Sequence, residues 1–373
     1  MPIHSRVAGE FEPTGSMHEP RRAHCCVGIG DQGVLAIAGA GFASGLEDAP
    51  ITPGRLSGVE LYDQASGTWS VRTPLPVGRD TCGAVLLMSG DVLVVAGSNA
   101  GMAIGDTHLY DVSTDLWRAA GQLRTPRFAH TTTLLESGRV LVVGGNNLQF
   151  TGGQVQDSVE LYDPNAQEWQ LQGWLPVDCM DHTATLLQNE RVLIVGGYSG
   201  RQNAALARAF IYDPSAVGHW SEVCPPPVPL MQHTATLLQE GRVLVCGGAN
   251  EPFGSPQRHA FIYDPSLDSW ERTSMCIDRK GHTATRLATG EVVVVGASSI
   301  GDPGSARTAE LYDPLSGQWR LTAPLLDGRF GHSASCLCTG QVLIAGGARP
   351  VSHPTPLSSA ELFTLTSGSR LAD

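Results

Sequence analysis

Residues 130–145 read His-Thr-Thr-Thr-Leu-Leu-Glu-Ser-Gly-Arg-Val-Leu-Val-Val-Gly-Gly, and after a loop come Val159-Glu160-Leu161-Tyr162-Asp163-Pro164 and then Trp169. Each piece specifies a strand or a turn. The stretch from His130 to Leu135 is β-branched and apolar, and the Gly-bearing turn Glu136-Ser137-Gly138 leads into Val140-Leu141-Val142-Val143, a continuous apolar run that predicts burial on both faces. The glycine pair closes that strand, since glycine takes positive φ freely and lets a neighbouring sheet approach. Val159–Tyr162 is the third strand, Asp163-Pro164-Asn165 a turn, and the segment carrying Trp169 the fourth.

The same unit recurs along the chain. Trp69, Trp117, Trp169, Trp220, Trp270 and Trp319 stand 48, 52, 51, 50 and 49 residues apart, each after a Tyr-Asp pair. A histidine follows 12 or 13 residues later at His130, His182, His233, His282 and His332, while Cys82 takes that place after Trp69. The small pairs are Gly144-Gly145, Gly196-Gly197, Gly247-Gly248 and Gly346-Gly347, softened to Ala38-Gly39, Ala96-Gly97 and Gly296-Ala297. The ends are incomplete. The last unit runs out after Glu361-Leu362-Phe363, and the 13-residue step from Phe11 to His24 equals that from Trp117 to His130. Gly9 to Pro13 therefore reads as the missing fourth strand of the last unit, closing a ring of seven and removing sheet edges.

These residues resemble the kelch-repeat family. The paired glycines, the spaced Tyr and Trp, and Arg-x-x-His at Arg21/His24, Arg127/His130, Arg279/His282 and Arg329/His332 carry the resemblance over nearly the whole chain, from about Phe11 to Phe363. It implies an all-β, seven-bladed kelch-type β-propeller whose last blade is closed by the N-terminal strand. The whole chain, 1–373, is expected to form one propeller domain, with blades near 24–73, 81–121, 130–174, 182–224, 233–274, 282–323 and 332–365 plus 9–13. The resemblance fixes fold better than function, because kelch propellers include adaptor modules, sugar-handling enzymes and the catalytic domain of galactose oxidase. The Tyr, His and thioether-bonded Cys of that copper site do not map onto motifs of this sequence.

Composition excludes several roles. Only 16% of the 373 residues are charged, and the formal charge is -12, so a nucleic-acid backbone or an anionic membrane would be repelled. No apolar run reaches the roughly 18 residues of a membrane span, and Met1 to Arg6 lack the apolar stretch of a secretory leader. Nine cysteines without framework spacing are expected to be reduced, hence cytoplasmic; Cys336-Leu-Cys338 is the one close pair. Gly28-Ile29-Gly30-Asp31-Gln32-Gly33 matches a dinucleotide-binding spacing but falls at a hairpin, with no helix to receive a pyrophosphate.

With four antiparallel strands per blade, the loop entering the first strand and the loop joining the second to the third emerge on one face. That face is the expected site. Its loops include the segment from Ala40 to Val59, Asn146-Asn147-Leu148-Gln149-Phe150 and Asn250-Glu251-Pro252-Phe253. His24, His130, His182, His233, His282 and His332 form a ring at the channel mouth, which makes a divalent metal the candidate cofactor. The weightier reading is structural: a residue repeated in every blade answers a demand of the blade, such as a hydrogen bond to a neighbouring strand. Positions at which the repeats disagree are freer to bind. Two residues before each histidine, or before Cys82, stand Arg22, Asp80, Phe128, Met180, Met231, Lys280 and Phe330. Phe128, Met180 and Met231 are expected to make an apolar wall facing Lys280, Arg22 and Asp80, with Phe330 interrupting the charged side, a mixture suited to a small organic molecule or a peptide. In Asp178-Cys179-Met180-Asp181-His182, Asp178 or Asp181 beside His182 supplies an alternative, acid–base or metal-assisted chemistry in a biosynthetic enzyme. A protein-interaction scaffold is the third reading.

Overall fold

The computed structural model describes residues 8–42, 53–148, 153–216, 219–297, 304–351 and 354–366. Met1–Arg6, Gln149, Phe150 and most of the segment between Ala40 and Val59 lie outside them. Seven four-stranded antiparallel sheets are present, one for each repeat. In blade 3 the strands are Thr131–Leu134, Val140–Val143, Ser158–Asp163 and Glu168–Trp174, in that spatial order. The Val140–Val143 strand is buried throughout, and its counterparts in the other blades are equally enclosed, because each packs against sheets on both sides. First strands of successive blades touch one another around the ring, from Cys25–Gly28 against Gly83–Leu86 to Ser333–Cys336 against Cys25–Gly28. Among the described residues no helix is long and apolar enough to cross a membrane.

The seventh blade is completed from the other end of the chain. Gly9–Thr14 pairs antiparallel with Ala360–Leu365, Phe11 opposite Phe363. Their rings lie 5.1 Å apart. That is the position of the Tyr–Trp pair in the six other blades, at 4.9–5.2 Å. Blade 5 departs from expectation in its fourth strand, which runs on to Arg279.

Seams between blades are built from the repeated residues. The indole N–H of Trp117 donates to Thr73 O of blade 1, and that of Trp270 to Cys224 O of blade 4, both at 2.8 Å. The second residue of each small pair donates its backbone N–H to the next blade: Gly39 to Arg79 O, Gly97 to Arg127 O, Gly145 to Cys179 O, Gly197 to Leu230 O, Gly248 to Arg279 O, Ala297 to Arg329 O, and Gly347 to Arg21 O, at 2.7–3.3 Å. Gly145 shows why the residue must be small. Its φ is +96°, and a Cβ there would sit 2.7 Å from Phe128 O.

Candidate functional site

A cleft of about 870 Å³ opens on the face predicted from strand order. It takes Met180, Asp181, Met231, Gln232, Lys280, Gly281 and Phe330 from the segments entering the first strands of blades 4 to 7, and Tyr198, Asn203, Pro252 and Phe253 from the loops after second strands. His182 and His233 complete its wall. Each entering residue is held by the sheet below it. Met180 exchanges two backbone hydrogen bonds with Tyr198 (2.8 and 3.1 Å), Met231 two with Ala249 (2.9 Å each), and Phe330 two with Ala348 (2.9 and 3.0 Å). The next residue then turns the chain into the first strand with a positive φ, 54° at Asp181, 55° at Gln232, 63° at Gly281 and 59° at Gly331.

The seven non-repeating positions divide. Met180, Met231, Lys280 and Phe330 line the cleft, whereas Arg22, Asp80 and Phe128 do not. The apolar wall thus joins Met180 and Met231 to Phe330, from blade 7, in place of Phe128. Phe128 keeps the equivalent backbone pairing, with Asn146, on blade 3. Asp80 is ion-paired with Arg55 at 2.9 Å, a partner supplied by the loop of blade 1. Lys280 is an anchor: its Nζ donates to Gly254 O at 2.7 Å, holding the turn that carries Phe253. Phe253 is fully exposed and sits at φ +60°, a conformation rare for a bulky side chain and concentrated at ligand-contacting segments. Tyr198 and Asn203, joined by a 2.7 Å hydrogen bond, were not singled out from sequence. Their signal was position, since Tyr198 directly follows Gly196-Gly197.

Asp178 is not part of the cleft's chemistry. Its carboxylate, 1% exposed, accepts from Ser199 Oγ at 2.6 Å and from Arg201 N at 3.0 Å. It fastens the two-stranded ribbon Tyr198–Ser199/Ala204–Ala205, which presents Tyr198 and Asn203. Asp181 does face the cleft, but its carboxylate accepts from Gln232 Nε2 at 3.2 Å, while His182 Nδ1 has no protein partner. Burial raises the Asp181 carboxyl above the ordinary carboxylate range, partly offset by Gln232.

Five of the six histidines of the ring are consumed by the seams. Nε2 of His182, His233, His282, His332 and His24 lies 2.9–3.0 Å from the hydroxyl of Thr131, Thr183, Thr234, Thr283 and Ser333 in the preceding blade. Burial holds the imidazoles far below their ordinary range, His182 to about 4 and His233 to about 3, so they are neutral at pH 7. Among the described residues no three His, Cys, Asp or Glu side chains converge as a metal-binding group, so the ring does not fit the metal-site expectation. What His182 and His233 offer the cleft is part of a neutral imidazole each; their Nδ1 atoms have no protein partner but are themselves buried.

Blades, seams and repeated residues together define a kelch-type β-propeller. No family model matches the chain. Its curated relatives include human Kelch-like protein 34, 32% identical over 124 residues covering 32% of this chain, and mouse Kelch-like protein 35, 24% identical over 258 residues covering 69%. The chain spans 18% and 32% of the length of these two proteins. Among solved structures, a fungal alcohol oxidase of the AA5 family, in complex with copper, superposes with a TM-score of 0.76 over 96% of this chain and 76% of its own, at 16% identity. That likeness is one of fold.

Proposed function

We propose that this propeller is a binding module that takes a small organic molecule, or the side chains of a peptide segment, into the cleft spanning blades 4 to 7. The observation carrying this reading is the make-up of that cleft: Met180, Met231, Phe330 and the strained, exposed Phe253 form apolar walls, and Asp181, Asn203 and Gln232 supply the polar complement. Its volume of about 870 Å³ suits a ligand of drug size or a few side chains. The methionines adapt to irregular apolar shapes, and the aromatic rings favour planar or thioether groups. The net charge of -12 speaks against nucleic-acid and anionic-membrane partners, and nine free cysteines support a cytoplasmic setting. An acid–base role here would fall to Asp181 beside His182, since Asp178 is committed to its ribbon.

The neutral fluorophore N-phenyl-1-naphthylamine tests the reading on the full chain. We expect saturable binding that weakens about tenfold or more in M180D, a substitution at a half-buried rim position, because an apolar contact becomes a charge. L315D should bind like wild type, since Leu315 is 91% exposed on a turn between third and fourth strands, at the opposite end of the blade. Binding that survives in M180D and is lost in L315D would replace this reading with that of an outer-surface scaffold.

A further inference from the structure

The seam between blades 1 and 2 is chemically unlike the others. Five seams carry a histidine–hydroxyl hydrogen bond at the repeat position described above. At the blade 2–3 seam the hydroxyl is missing, because Gly83 occupies the place of Thr or Ser, and both ring nitrogens of His130 are left unpartnered. At the blade 1–2 seam both partners have changed together: Cys82 stands for the histidine and Cys25 for the hydroxyl. Their Sγ atoms lie 3.2 Å apart, and Cys25 Sγ also donates to Cys82 O at 2.8 Å. Both side chains are half-buried. We propose that Cys25 and Cys82 are a reversible thiol–disulfide site, closed by a peroxide, that staples blade 1 to blade 2.

The surroundings suit that chemistry. The hydrogen bond from Cys25 draws the Cys82 thiol below its ordinary range despite burial, and the Arg79 guanidinium adds to this, while Cys25 is held above its own. With the Cys25 proton engaged by Cys82 O, Cys82 is assigned as the attacking sulfur, and the product is the same whichever of the two attacks first. Its thiolate displaces hydroxide from the peroxide O–O bond and becomes a sulfenic acid; Cys25 then attacks that sulfur, its proton leaving with the hydroxyl group as water. Two thiols and one hydrogen peroxide give one disulfide and two waters, the two electrons passing from sulfur to oxygen. The sulfurs need only move from 3.2 Å to the bonded separation of about 2.05 Å. Neighbouring Cys26 is no competitor, because strand alternation turns it to the opposite seam, where Ser333 Oγ donates to it at 2.9 Å. Burial pushes that thiol up to about 11.

The staple would join residues 57 apart in sequence, constraining the unfolded chain. The test uses the full chain, reduced, desalted, treated with equimolar hydrogen peroxide and digested without reductant. The expected product is a peptide pair joining Cys25 to Cys82, two hydrogens lighter than its parts, present in wild type and C26S, absent from C25S and C82S, and released by dithiothreitol. Oxidised wild type should melt several degrees higher than reduced, with the gain reversed by reductant and missing from C82S. Absence of the crosslink in wild type, its persistence in C25S through Cys26, or an equal rise in melting temperature in C82S would each overturn the proposal.

Discussion

Six histidines share one place in the repeat, and what each does is set by a residue one step on in the preceding blade. His233 is representative, its Nε2 3.0 Å from the Thr183 hydroxyl and its ring buried. Burial, with a contribution from His182, lowers it to about 3 against an ordinary value near 6.5. In the unfolded chain the same imidazole takes up a proton below that ordinary value, while in the folded protein it stays neutral until about pH 3. The unfolded state therefore binds more protons across this window, so the contribution is complete above pH 7 and is lost as pH falls. Urea unfolding at pH 7, 6 and 5 should show stability falling by on the order of 1 kcal/mol per pH unit for each buried histidine, and H233Q should remove one such increment from the slope. Equal slopes in wild type and H233Q would refute this account. The repetition of the histidines was legible in the sequence. Their partners were not, because residues some 50 apart meet only once neighbouring blades are packed.

Within a blade, the element that most constrains the sequence is a buried ion pair. Arg127 Nη2 lies 2.7 Å from Glu160 Oε1, both side chains fully buried, and Arg127 Nη1 donates to Gly144 O and Ser158 O. Glu160 also accepts from the backbone N–H of Arg124 and Thr125. Arg21–Glu60, Arg279–Glu310 and Arg329–Glu361 repeat the arrangement. In blade 2 the acid is Asp106, brought to Arg79 at 2.6 Å next to a register shift in the strand. Blades 4 and 5 have exchanged both members, with Cys179 and Phe210 in one apolar cluster and Leu230 and Phe261 in another. Losing one member strands a buried charge, whereas replacing both leaves an ordinary apolar contact. Accordingly E310A should destabilise by about 3–5 kcal/mol, and R279L/E310F, which copies blade 5, should return to within about 2 kcal/mol of wild type, as read from denaturant midpoints at constant slope. The arginines were noticed in the sequence as part of a motif. Their acids were visible, two residues before the tyrosine in Glu60, Glu160 and Glu310 and before Phe363 in Glu361, but carried no meaning until the third strand was seen to lie over the entry to the first.

At the scale of the whole molecule, two devices close the ring. One is the clasp of Gly9–Thr14 on Ala360–Leu365; the other is the circle of seven interblade backbone hydrogen bonds, whose last member runs from Gly347 to Arg21. Deleting the chain through Thr14 removes the clasp, with the bonds of Thr14 to Tyr62 and of Ala323 to Gly9, and leaves the circle of seven intact, with Ala360–Leu365 as an unpaired apolar edge. The shortened protein should melt at lower temperature and elute as aggregates from a sizing column, while F11A, which keeps the strand, should remain monodisperse and lose about 3–5 kcal/mol.

Repeat number, the clasp and the face bearing the long loops were all readable from the sequence, because each rests on local patterning: the period near 50, glycines where φ must be positive, and strand alternation. The cleft was readable in part. Sequence places seven residues at one position of the blade and treats the blades as equal. Packing decides which of them share a space, by how each intervening loop folds: Lys280 is spent on holding Phe253, Asp80 on Arg55 and Asp178 on Ser199, while Phe330 comes into the space of Met180 and Met231. Such choices depend on hydrogen bonds and ion pairs between segments tens to hundreds of residues apart, and a linear pattern holds no measure of those distances.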